Sequence, residues 1–208
     1  MRFKSARILN LSKCFAVSVI FLIGACSSED PKLTNTTEEI IMPIATISTS
    51  LGDIEVELDA QSAPITTKNF IDLANAGYYE NTIFHRVIEG FMIQGGGLDK
   101  DMNNKPSSSS SITNEANNGL KNDRGTVAMA RTNDPHSATS QFFINHKDNE
   151  FLNFTSETPQ GWGYAVFGSV IKGMDIVDQI AEVNTTTVNQ YQDVPVDTIT
   201  IKSVSIDE

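Results

Sequence analysis

From residue 45 the chain alternates apolar and polar side chains. Ala45-Thr46-Ile47-Ser48-Thr49 and Ile54-Glu55-Val56-Glu57-Leu58 switch at almost every position, with Ser50-Leu51-Gly52-Asp53 between them. A period of two belongs to a strand with one buried face, so this predicts a β-hairpin with Ile54, Val56 and Leu58 inward. The period then lengthens. After Ala63-Pro64, the residues Phe70, Leu73 and Ala74 share one helical face, and Gly77 ends the run. Proline fits a first helical turn because the N–H it lacks would be unpaired there, and glycine fits the stop. Tyr78, Tyr79, Ile83 and Phe84 lead into a strand region over 87–94 that Gly90 interrupts. Residues 97–124 are poor in apolar side chains, carry five serines at 107–111, and read as a long surface loop bordering a site. Strand character returns at 127–130, 141–144 and 165–170. Ile171, Met174, Val177 and Ile180 then recur every three residues and predict a second helix. Ile199, Ile201, Val204 and Ile206 are spaced two, three and two apart, which predicts a last strand with a bulge near Lys202. Many short strands, two helices and no βαβ rhythm indicate an all-β closed antiparallel barrel with helices packed on it.

The first residues have a different pattern. Arg2, Lys4, Arg7 and Lys13 precede an apolar run from Phe15 to Ala25 in which only Ser18 is polar. That run is too short to span a bilayer comfortably and suits a secretory leader. It closes Leu22-Ile23-Gly24-Ala25-Cys26, which resembles the cleavage site of bacterial lipoproteins, where the cysteine becomes the lipidated first residue. The bland alternative is ordinary cleavage near Ala25 with Cys26 a free thiol. Ser27 follows the cysteine where an aspartate would favour the inner membrane, so the resemblance points to the outer one. The expected organisation is a leader at 1–25, a lipidated Cys26 with a polar tether through residue 43, and a folded domain over 44–208. The protein would then face the periplasm of a bacterial envelope.

Cleavage changes the charge. The leader's four basic residues leave, so 11 Lys+Arg face 26 Asp+Glu and the formal net charge moves from −11 to −15. No basic surface is left to follow a phosphate backbone, which excludes nucleic acid as a partner. The only cysteines are Cys14 and Cys26, so the folded body has no disulfide. His85, His136 and His146 are scattered and do not form a metal set by spacing. Ser137 and Ser140 lack the flanking glycines of a nucleophile elbow, so hydrolase chemistry has no support.

Three runs concentrate the chemistry: Phe84-His85-Arg86-Val87-Ile88-Glu89-Gly90-Phe91-Met92-Ile93-Gln94-Gly95-Gly96, then Gly125-Thr126-Val127-Ala128-Met129-Ala130-Arg131, then Ser140-Gln141-Phe142-Phe143-Ile144-Asn145. Each mixes apolar surface with hydrogen-bonding groups, as a site for a small apolar group on a peptide backbone requires. Phe142 and Phe143 are neighbours on a strand and must face opposite ways, one into the core. An arginine beside aromatics is, by default, a surface ion pair or a cation–π pair. His85 beside it invites an acid–base role, but a structural one is the expectation.

With Phe151-Leu152 and Gly163-Tyr164-Ala165-Val166-Phe167-Gly168, these runs resemble a cyclophilin-type peptidyl-prolyl cis-trans isomerase over residues 45 to about 206, closest to the periplasmic bacterial branch. The resemblance implies a closed eight-stranded antiparallel barrel, capped by two helices, with its site on the outer surface. It implies that Arg86 is the catalytic arginine, with Gln94 holding it or the substrate. It implies that Phe91, Met92, Phe143 and Leu152 form the proline pocket, that Ala130 and Arg131 bind the peptide backbone, and that Phe142 points to the core. Phe151 stands where the eukaryotic type has tryptophan, and Tyr164 where it has histidine, which weakens the case for cyclosporin binding more than for catalysis. The implied ligands are proline-containing peptides and unfolded envelope proteins, with no cofactor or metal, and a monomer is expected. The competing reading is a proline-binding module that has lost turnover; a scaffold lipoprotein would need no such pocket.

Overall fold

The computed structural model describes residues 42–106 and 109–207. The leader, Cys26 and nearly all of the tether lie outside the described residues. Ten strands and two helices follow in chain order: β1 Ile44–Thr49, β2 Asp53–Leu58, α1 Pro64–Asn75, β3 Thr82–Ile88, β4 Met92–Asp99, β5 Thr126–Met129, β6 Phe142–Asn145, β7 Val166–Lys172, α2 Met174–Ala181, β8 Thr185–Val188, β9 Tyr191–Pro195 and β10 Thr200–Asp207. Eight of the strands close an antiparallel barrel in the order β1-β10-β3-β4-β6-β5-β7-β2, and β8 and β9 form a separate two-stranded ribbon.

Alternation puts one row of side chains inside. Ile47, Ile54, Val56, Leu58, Val87, Ile93, Val127, Met129, Phe142 and Ile144 belong to one buried apolar cluster. The helices add Phe70, Leu73 and Ala74 from α1, and Val177, Ile180 and Ala181 from α2. The Phe70 ring lies 5.0 Å from Tyr79, 5.6 Å from Phe142 and 5.3 Å from Phe167, so α1 is held by aromatic contact with two strands and a turn. The predicted hairpin is present, with Ile54, Val56 and Leu58 buried. The bulge is present too. β1 pairs with β10 through Ser48↔Ser203 and then Thr49↔Ile201, leaving Lys202 as the extra residue.

Other expectations need correction. The strand region over 87–94 is two strands: the chain reverses at Glu89-Gly90-Phe91, so that Val87 faces Ile93 and Arg86 faces Gln94. Ile171 does not belong to the second helix. It lies near the end of β7, half exposed, and α2 begins only at Met174. Gly173 separates the two with φ 86, and a Cβ there would strike the Asp53 carbonyl oxygen. The segment 97–124 is not all surface. β4 continues to Asp99, Leu98 is buried, and so are Asn114 and Asn122. The β8–β9 ribbon had no signal, because Thr185, Thr186 and Thr187 are all exposed and nothing alternates.

Candidate active site

Four strands carry a second apolar cluster on their outer face: Met92, Ala128, Phe143, Leu152 and Val166, with Phe91, Ala130 and Tyr164 packed at its edge. Strand register builds it. Arg86 pairs with Gln94, Gln94 with Phe143, Phe143 with Ala128, and Ala128 with Val166, so these residues form one cross-strand row from β3 to β7. Phe142 faces the interior and Phe143 this surface, as strand geometry requires.

A groove of about 160 Å³ opens on the row, lined by Arg86, Phe91, Met92, Gln94, Ala130, Arg131, Phe143, Leu152 and Tyr164. Phe91, Met92, Phe143 and Leu152 give it apolar surface, and Arg86, Gln94 and Arg131 give it polar surface. The Arg86 guanidinium lies 5.9 Å from the centre of the Phe91 ring, and its Nε is 3.9 Å from an Asp193 carboxylate oxygen. Gln94 Nε2 donates to the Gln141 side-chain oxygen at 3.0 Å, so its amide is oriented by Gln141. Arg131 is committed: Nε donates to the Gly163 carbonyl at 2.8 Å, Nη1 to the Thr132 carbonyl at 2.9 Å, and the guanidinium lies 4.6 Å from the Tyr164 ring centre. It thus buttresses a wall. Ala130 donates its N–H to the Gln141 carbonyl at 2.9 Å. The Tyr164 ring meets Phe143 edge-on at 5.6 Å.

Phe151 is the one selected aromatic outside the groove. It lies on a 3₁₀ turn, Glu150–Leu152, is 74 % exposed, and stacks on the far side of Phe91 at 5.6 Å. His85 is buried, and its Nδ1 has no hydrogen-bond partner. Burial pushes its imidazole down to about 4, a backbone hydrogen bond at Ile83 opposes the fall, and the Arg86 charge adds to it. It is neutral at ordinary pH; the β3–β4 register shifts between Phe84 and Arg86, so simple alternation fails there, and His85 borders a second cavity beside Arg86 and Gln94.

Three buried asparagines support the groove from behind, and sequence reasoning missed them. Asn149 Nδ2 donates to the Phe91 carbonyl at 2.9 Å and to Asn145 Oδ1 at 2.7 Å. Asn145 Nδ2 donates to Asn122 Oδ1 at 3.2 Å. Asn122 Nδ2 reaches the Leu152 carbonyl at 3.2 Å and the Tyr164 carbonyl at 3.3 Å. The chain of amides thus ties the backbones of three groove residues together. The one available signal was alternation: Asn145 lies two residues past Phe143 and so on its face.

The comparisons with known proteins agree with this geometry. The family model for cyclophilin-type peptidyl-prolyl cis-trans isomerases matches residues 44–206. The chain belongs to the cyclophilin-type peptidyl-prolyl cis-trans isomerases. It is 55% identical over 165 residues to peptidyl-prolyl cis-trans isomerase B of Escherichia coli, covering 79% of this chain and 100% of that one. It is 46% identical over 196 residues to peptidyl-prolyl cis-trans isomerase A of Dickeya dadantii, covering 94% and 98%. Among solved structures, a cyclophilin of Cryptosporidium parvum crystallised with the dipeptide Ala-Pro superposes with a TM-score of 0.65 at 31% identity, covering 79% of this chain and 99% of that one. This cyclophilin is accordingly a peptidyl-prolyl cis-trans isomerase, with the closed eight-stranded barrel of its family.

Proposed function

We propose that this cyclophilin turns X–Pro bonds in the groove beside Arg86, acting on peptides and on unfolded or partly folded envelope proteins. Rotation about a peptide bond must overcome its double-bond character, a barrier of about 18–20 kcal/mol, while cis and trans X–Pro differ by only about 1 kcal/mol. Catalysis therefore needs selective stabilisation of the twisted bond and no covalent step. In the twisted state resonance is lost and the prolyl nitrogen gains a lone pair. Arg86 is a planar, permanently charged donor that would aim at that nitrogen. Phe91, Met92, Phe143 and Leu152 would grip the ring, with Tyr164 closing the wall. Gln94, Ala130 and Arg131 would guide the backbone, and Phe151 would extend the apolar surface past Phe91.

The observation that carries the reading is the common groove: residues drawn from three separated sequence runs border one space of about 160 Å³, the Arg86 guanidinium among them. A crystal structure of a related cyclophilin was obtained in the presence of Ala-Pro, which supports an X–Pro dipeptide as the minimal ligand here. A protease-coupled assay on an Ala-Pro-containing peptide tests it. Acceleration is expected from the wild type and not from a proline-binding module without turnover.

The same proposal includes location: a leader at 1–25, a lipid on Cys26, a tether to residue 43 and the isomerase domain over 44–208, acting as a monomer from the periplasmic side of the outer membrane. What supports it is the basic start, the short apolar run and the small residues before Cys26.

A further inference from the structure

The turn that carries Phe91 is fastened by a side chain with no part in the groove chemistry. His146 directly follows β6, and its side chain is 14 % exposed. Its Nδ1 accepts the backbone N–H of Gly90 at 2.9 Å. Its own backbone N–H donates to the Phe91 carbonyl at 2.9 Å. An accepting Nδ1 places the ring hydrogen of the neutral imidazole on Nε2, and Nε2 faces Asp178 Oδ1 of α2 at 3.0 Å. Arg124 grips both oxygens of Asp178, at 2.8 and 2.9 Å, and its Nη1 donates to the His146 carbonyl at 2.7 Å. The ring is thus fixed in one orientation by groups from three elements.

We infer that His146 is a positioning residue of the proline groove: its Nδ1 holds the Gly90 N–H and with it the Phe91 wall, so that loss of this acceptor frees the wall and weakens peptide binding. A hydrogen on Nδ1 would oppose the Gly90 N–H, donor against donor, across 2.9 Å. Gly90 is the part that can yield. It is exposed, sits at the tip of the turn, and has open space around it. Phe91 is the next residue, lines the groove and stacks on Phe151. Asp178 faces the ring across 3.0 Å, and Arg124 occupies the same carboxylate. Asp148 accepts the Arg124 backbone N–H at 2.8 Å, and Lys147 and Glu89 flank His146 and Gly90 in the chain. His146 touches Gly90, Phe91, Asp178 and Arg124 and makes no contact with Arg86 or Gln94, so the effect falls on binding through the Phe91 wall and not on the twisted bond.

The inference rests on the groove reading above, and the test separates the two. On the full-length protein, KM and kcat for an X–Pro peptide are measured by proton NMR exchange, which needs no coupling protease. At about pH 7.5, His146→Ala is expected to raise KM about fivefold with kcat within about twofold. His146→Asn puts an amide oxygen near the Nδ1 position and is expected to restore KM. The Gly90 amide shift is expected to move in His146→Ala and to return toward the wild-type position in His146→Asn. A KM unchanged in His146→Ala, or a KM that His146→Asn does not restore, would each overturn the inference while leaving the isomerase in place. An inactive wild type would remove the groove reading instead.

Discussion

Arg86 carries its charge where water still reaches it. Its side chain is 40 % exposed and its ion pair with Asp193 is long, at 3.9 Å through Nε, so the pair adds little stability and leaves both terminal nitrogens for a peptide. His85, one residue earlier, is the opposite case. Because its folded-state value is depressed to about 4 from an ordinary 6.5, the neutral ring favours the fold above 6.5, and that advantage is lost as pH falls from 6.5 toward 4. Between pH 7 and pH 5 the wild type is expected to lose about 2 kcal/mol more than His85→Gln, read from urea unfolding at the two pH values. Parallel losses would show that the buried ring is not the cause. Phe151 gives a third expectation. It has no N–H to donate, so Phe151→Trp is expected to tighten cyclosporin binding measured by calorimetry, and equal affinities would exclude this position as the determinant.

At the scale of elements, the β3–β4 turn and the Glu150–Leu152 turn are joined by Asn149. Asn149→Ala removes a donor from the Phe91 carbonyl, which keeps the His146 N–H, and leaves the buried Asn145 Oδ1 without its donor. A loss of about 2 kcal/mol in urea unfolding is expected, together with a raised KM; full stability would mean that water replaces the amide at no cost. These elements also show what a sequence can tell. The first hairpin, α1 and the Lys202 bulge were legible because each is a local period interrupted by one residue. The start of α2 was misread because a step of three runs unbroken from Ile171 through Met174, and only the left-handed Gly173 separates strand from helix. The asparagine chain was illegible because Asn122, Asn145 and Asn149 look like surface residues in composition, and only the fold reveals that they satisfy one another. His146 and Asp193 reach the site across 56 and about a hundred residues of chain, distances over which no period operates.

On the scale of the whole molecule, closure of the barrel fixes the register that aligns Arg86, Gln94, Phe143 and Ala128 in one row. The three motif runs named these residues, but their order across the sheet follows from the pairing β3-β4-β6-β5, which is not their order in the chain. The acidic body bears on location. With the leader removed as proposed, its formal charge of −15 would be repelled by anionic lipid, and membrane attachment would depend on the acyl chains at Cys26. Palmitate labelling and recovery in the membrane fraction are expected for the wild type and not for Cys26→Ser; an unlabelled wild type found wholly in the periplasmic extract would rule the anchor out and leave the enzyme untouched. The central claim is that Arg86 stabilises the twisted prolyl bond. The direct measurement is kcat/KM for X–Pro isomerisation in the wild type and in Arg86→Ala, with circular dichroism to verify the fold. A fall of at least about tenfold, or about 1.4 kcal/mol of transition-state stabilisation, is predicted with the spectrum unchanged. Full activity in the folded variant would contradict the account.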